Sequence, residues 1–106
     1  MLDTGADDTV FTMAEAQLLG LDLSQAPQYT VTGVGSPPYV LAYAQITLRL
    51  TDGKEFREWP AWVGFTSAQM AHPMLGFAGC LQFFDALFHG EREEVELTVN
   101  GLYPGK

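Results

Sequence analysis

From residue 28 to residue 65 the chain alternates β-type runs with tight turn signals, and that spacing leaves little room for anything but antiparallel strand pairing. Tyr29 and Val31 lie in a run leading into Gly33-Val34-Gly35-Ser36-Pro37-Pro38, where glycines supply positive φ and prolines fix φ near −65°. A long strand is expected to leave that turn over residues 39–50. Its second half alternates, with Ile46, Leu48 and Leu50 on one face and Gln45, Thr47 and Arg49 on the other. Thr51-Asp52-Gly53-Lys54 predicts a hairpin of the type I′ kind that Asp-Gly favours. Residues 55–58 and 61–65 then read as two further strands parted by Pro60.

The flanking segments are shorter. Residues 8–11 suggest a strand, and Thr12-Met13-Ala14-Glu15 matches a capping box that opens a helix through Leu19, with Gly20 as its stop. Residues 76–84 are apolar without alternation and predict a second short helix. Residues 85–88 and 94–99 predict a closing hairpin across His89-Gly90-Glu91. The expectation is an all-β fold with one or two short helices.

Composition bounds the function. The chain has 106 residues, 47% of them hydrophobic and 17% charged, enough for one packed domain and few signs of disorder. Five Lys and Arg stand against 13 Asp and Glu, a net charge of −8, which argues against nucleic-acid and anionic-membrane partners. Cys80 is the single cysteine and His72 and His89 the two histidines, so neither a disulfide nor a Cys-based zinc site is expected, and no cofactor is called for. There is no apolar run of membrane-spanning length, and Met1-Leu2 runs straight into Asp3 without the regions of a secretory signal. A cytoplasmic location is the expectation. Trp59 and Trp62 are expected in core or interface packing, Cys80 as a small buried hydrophobe, and Glu91, Glu93, Glu94 and Glu96 as a solvated hairpin face.

The chemistry-bearing segment is Leu2-Asp3-Thr4-Gly5-Ala6-Asp7-Asp8-Thr9-Val10-Phe11. An isolated Asp-Thr-Gly is an ordinary turn sequence; here an apolar residue precedes it, Ala6 follows it, and a β-rich chain of about 100 residues surrounds it. With Thr32-Gly33-Val34-Gly35-Ser36 between two strands, and Met74-Leu75-Gly76 ahead of the expected second helix, the sequence resembles the retropepsins, the single-domain retroviral-type aspartic proteases, and bacterial members most. The resemblance covers nearly the whole chain.

What it implies is specific. The fold would be a retropepsin-like closed barrel or sheet with a flap hairpin, assembled as a homodimer. Residues 1–106 would form one such domain, lacking the strand that family members carry ahead of the Asp. Asp3, Thr4 and Gly5 would be catalytic: Asp3 would share a proton with its symmetry mate, Thr4 would lock the two loops across the two-fold, and Gly5 would leave room and a carbonyl for substrate. Ala6, Asp7, Asp8, Gly33, Val34 and Gly35 would bind a peptide or protein substrate. Asp7 and Asp8 read equally as solvated turn carboxylates, and Val34 as a plain hairpin turn instead of a flap tip. Met74-Leu75-Gly76 would brace the catalytic loop. The arginine that retroviral members often carry next is replaced by Phe77, which leaves Asp7 without that partner.

The expected activity is therefore an aspartic endopeptidase. The alternatives are a catalytically silent retropepsin-like dimerisation or peptide-binding domain and an unrelated small β-barrel binding module.

Overall fold

The computed structural model describes residues 2, 5–33, 35–70 and 72–105. In chain order the elements are β1 (Val10–Thr12), α1 (Met13–Leu18), β2 (Gln28–Gly33), β3 (Ser36–Thr51), β4 (Phe56–Thr66), β5 (Phe84–His89) and β6 (Glu94–Val99). Short 3-10 turns span Leu81–Phe83 and Gly90–Arg92. The fold is all-β. Four strands form one sheet in the order β1-β4-β3-β2, and β5 and β6 form a separate antiparallel pair.

The long β3–β4 hairpin is the frame. Its register runs from Leu41 opposite Thr66 to Thr51 opposite Phe56. Because side chains alternate across a strand, Ala44, Ile46, Leu48 and Leu50 share a face with Trp59, Ala61, Val63 and Phe65. Trp59, Val63 and Phe65 are fully buried there, packed with Ala16 of α1, Cys80 and Phe84. Each such large apolar side chain contributes ~1.5–3 kcal/mol on leaving water. Leu97 and Val99 of β6 and Tyr103 close the outer side of this core. Phe83, Phe84 and Tyr103 all present ring contacts to the Trp59 indole, whose Nε1–H donates to the Gly79 carbonyl at 2.7 Å.

Local signals explain the element ends. The Thr12 hydroxyl accepts the Glu15 amide and the Glu15 carboxylate accepts the Thr12 amide, so the capping box forms as expected. The helix then stops at Leu18, with Gly20 at φ +71° just beyond its C-cap.

Several expectations need correction. Among the described residues the main sheet does not close into a barrel. β1 offers only three residues and β2 runs out with the tip of β3, so the two edges do not meet. Pro37 and Pro38 belong to β3 and not to the turn. They sit opposite Thr32, where the register shifts between Val31–Tyr39 and Gly33–Ser36, a bulge that has no need of their missing N–H groups.

Pro60 does not break β4 either; it pairs with Thr47 in one continuous strand. β1 flanks β4 only at Gly64–Thr66, so no strand on that side needs a donor from residue 60. The Asp52-Gly53 turn is a four-residue loop and not the type I′ two-residue form. The Asp52 carboxylate accepts the amides of Lys54 and Glu55, and of the two central residues only Gly53 takes positive φ, at +93°. Residues 76–84 do not form an α-helix, because Gly79 at φ +87° interrupts the backbone and leaves just the 3-10 turn at Leu81–Phe83. The closing hairpin is present, turning through Gly90–Arg92 with Glu93 in the left-handed region.

The Cα radius of gyration is 14.8 Å, above the about 13 Å expected of a chain this long. Beyond Val40 the β2–β3 pair has no β4 partner and stands out as a two-stranded arm.

Candidate functional site

The loop that follows Asp-Thr-Gly is held by main-chain bonds to a segment far along the sequence. Leu2 bridges Leu75 in parallel, Asp8 bridges Ala78 in parallel, and Val10 bridges Met74 antiparallel. The Phe77 amide donates to the Ala6 carbonyl at 3.0 Å and the Ala78 amide to the Asp7 carbonyl at 2.8 Å. Val10 and Met74 exchange both of their bonds at 2.8 Å, and the Thr9 amide donates to the Ala78 carbonyl at 3.2 Å. On the other side of the loop the Gly64 amide donates to the Thr9 carbonyl at 3.0 Å, which ties the loop to β4.

Gly76 is where the two segments meet most closely. A Cβ there would overlap the Asp8 carbonyl oxygen and lie 2.9 Å from the Ala6 carbonyl oxygen, so only glycine fits without moving backbone. Its amide donates to the Thr9 hydroxyl at 3.2 Å. Thr9 is 1% exposed, and this bond satisfies a hydroxyl that would otherwise be costly to bury. The bracing role expected of Met74-Leu75-Gly76 is thus what these residues do for residues 6–10.

Of the expected site residues, Asp3, Thr4 and Val34 lie outside the described residues. Gly5 is exposed in a turn, Ala6 is half-buried, Asp7 is exposed and Asp8 is half-buried. Gly33 pairs with Ser36 at the arm's tip, and Gly35 takes φ +79° in the two-residue connection between them. Phe77, at the position where the resemblance would put an arginine, is 60% exposed. Among the described residues no ion pair is formed by Asp7.

Asp7 and Asp8 therefore part company. The Asp8 Oδ2 accepts a hydrogen bond from the Tyr43 hydroxyl at 3.0 Å. Tyr43 lies on β3 directly opposite Gly64, and a Cβ on Gly64 would come within 3.4 Å of the Tyr43 ring. Without a side chain at 64 the ring has room to lie across β4 and reach the loop. It packs edge-on to Tyr29, with centroids 5.5 Å apart, and stacks on Trp62 at 6.4 Å and 11°. Burial first, then the Asp8 hydrogen bond and charge, push the Tyr43 pKa from 10 up to about 12. The phenol is a neutral donor throughout the neutral and acid range.

Sequence reading singled out Asp8 but not Tyr43. The available signal was an aromatic residue in register with Gln45, Thr47 and Arg49 on the otherwise polar face of β3. Of the two tryptophans expected in core or interface packing, Trp59 is core at 1% exposed, whereas Trp62 lies outside the core on that second face and is 54% exposed. Cys80 is fully buried, and burial raises its thiol pKa to about 11, so it is poorly suited to act as a nucleophile.

Among the described residues no group of three or more His, Cys, Asp and Glu gathers in a way that could hold a metal ion. No described helix is long and apolar enough to cross a membrane. Compared with protein-family models, with characterised proteins and with solved structures, the chain has no match.

Proposed function

We propose that this chain is one half of an aspartic endopeptidase, which hydrolyses peptide bonds with a water activated between two Asp3 carboxylates, one from each subunit of a homodimer. The observation that carries the reading is the clamp between residues 6–10 and residues 74–78, closed over Gly76. The resemblance pairs these two segments, 67 residues apart at Thr9 and Gly76, and they are in hydrogen-bonded contact.

The chemistry needs one ionised carboxylate to take a proton from water and one protonated carboxyl to polarise the scissile carbonyl. Two carboxyls about 3 Å apart cannot both ionise, so they share one proton and titrate as a pair. A chain with one Asp-Thr-Gly supplies half of such a pair, and two-fold symmetry supplies the other half. Asp3 is base in one subunit and acid in the other. Thr4 ties the paired loops, while Gly5 and Ala6 leave the substrate backbone room. Asp7 and Asp8 anchor its main chain. The arm carrying Gly33, Val34 and Gly35 closes over it, with the Val34 amide turned to the peptide through a bridging water.

The test is cleavage of a mixed peptide library between pH 4 and 7 by the chain and by its Asp3→Asn variant, with molar mass measured alongside. Cleavage by the wild type alone, from a dimer, is the expected result. A folded dimer that cleaves nothing would instead identify a silent dimerisation or peptide-binding domain. Activity that survives Asp3→Asn, or that a chelator abolishes, would overturn the reading.

A further inference from the structure

We propose that Tyr43 is a positioning residue that aims the Asp8 carboxylate at the main-chain N–H of a bound peptide; this rests on the endopeptidase reading above. A carboxylate on a turn rotates freely unless something fixes it, and a rotating acceptor forfeits part of a substrate hydrogen bond to ordering entropy. Among the described residues the Tyr43 hydroxyl is the one hydrogen-bond donor to the Asp8 carboxylate, and it engages Oδ2 alone. Oδ1 remains as the acceptor for a ligand.

The donor is itself fixed. Its ring sits between Tyr29 and Trp62 and over Gly64, on the stretch of β3 from Leu41 to Thr51 that is paired with β4. That rigidity passes to Asp8 through a single bond, while the loop's backbone is fixed independently by residues 74–78. Removing the hydroxyl should therefore loosen the carboxylate and leave the loop in place. Asp7, one residue earlier and exposed, has no such partner in a described ion pair or side-chain hydrogen bond, so the Tyr43 contact and the deeper burial of Asp8 set the two adjacent carboxylates apart.

The experiment compares wild type, Tyr43→Phe, Asp8→Asn and the double variant. Each is assayed on a peptide the wild type cleaves and on a series of that peptide N-methylated at one amide at a time. Tyr43→Phe is expected to raise KM about three- to tenfold, the worth of one hydrogen bond, with kcat within about twofold. The double variant should be no worse than Asp8→Asn. One N-methylated position should cost the wild type about as much as the Tyr43→Phe change and cost the variant little.

An unchanged KM in Tyr43→Phe, a fall in kcat in place of a rise in KM, or losses that multiply in the double variant would overturn the proposal. Asp8→Asn reads the same contact from its other end should Tyr43→Phe fold poorly. A wild type that cleaves no peptide, or cleavage insensitive to Asp3→Asn, would overturn the endopeptidase reading and this proposal with it. Cleavage abolished by Asp3→Asn but indifferent to Tyr43→Phe would remove the proposal alone.

Discussion

The two faces of the β3–β4 hairpin are built from the same strands and held together in different ways. On one face Trp59, Ala61, Val63 and Phe65 are shut away from water beneath α1, the Cys80–Phe84 segment and Tyr103. On the other, Trp62 and Phe56 stay more than half exposed, as does Tyr29 of the neighbouring β2. That face is organised by pairwise contacts. The Arg49 guanidinium binds Glu58 at 2.6–2.7 Å and lies 4.5 Å over the Phe56 ring, and Tyr43 joins its aromatic neighbours to Asp8. Exposed ion pairs of this kind are worth about 1 kcal/mol or less. The first face supplies stability; the second meets the candidate site.

The sharpest way to break this contrast is a pair of tryptophan truncations. Trp59→Ala is expected to cost about 3–5 kcal/mol, because it empties a closed core and orphans the Gly79 carbonyl. Trp62→Ala, three residues along the same strand, is expected to cost about 1 kcal/mol or less. Urea unfolding of both variants checks this, and equal losses would mean that the second face is as much core as the first.

Next in size is Gly76→Ala, expected to lose about 3 kcal/mol, since the new methyl meets carbonyls that cannot rotate away. The same unfolding measurement decides it, and a neutral change would show that the clamp is loose. Thr9→Val, which keeps the shape and removes the acceptor of the Gly76 amide, should lose about 1–3 kcal/mol.

The smallest effect is a pH slope. Unfolded, Tyr43 gives up its proton near pH 10; folded, it holds the proton up to about 12. The unfolded state binds fewer protons in that window, so stability is intact below pH 10 and falls as pH rises through it. Cys80, raised from 9 to about 11, adds a falling slope of the same sign that begins lower. Urea midpoints from pH 8 to 12 should decline, and Tyr43→Phe should flatten the upper part of the decline. A midpoint that rises with pH would contradict both shifts.

What could be read from the sequence was whatever local chemistry decides. The Thr12–Glu15 capping box and the Ile46-Leu48-Leu50 alternation are properties of a few neighbouring residues, and both appear in the structure where the sequence put them. Pro60 and the 76–84 segment were misjudged because distant context overrode local preference. Proline is tolerated where no neighbouring strand needs its N–H, and the apolar 76–84 run is bent by Gly79 to lie against Trp62 and Thr9. At the candidate site, Gly76 was legible as a brace. The Tyr43–Asp8 bond was not, since it joins residues 35 apart on different elements and depends on an empty side-chain position at Gly64.

The clamp over Gly76 also sets an order of events. A contact spanning most of the chain forms slowly, because a long loop must close before it returns any energy. Synthesis delivers the Asp-Thr-Gly segment well before its brace, with 67 residues separating Thr9 from Gly76. The β3–β4 hairpin, whose contacts are local, can zip up meanwhile. The loop is thus made well before it can be finished, and a nascent chain carries the motif long before it has the clamp that holds the following residues in place.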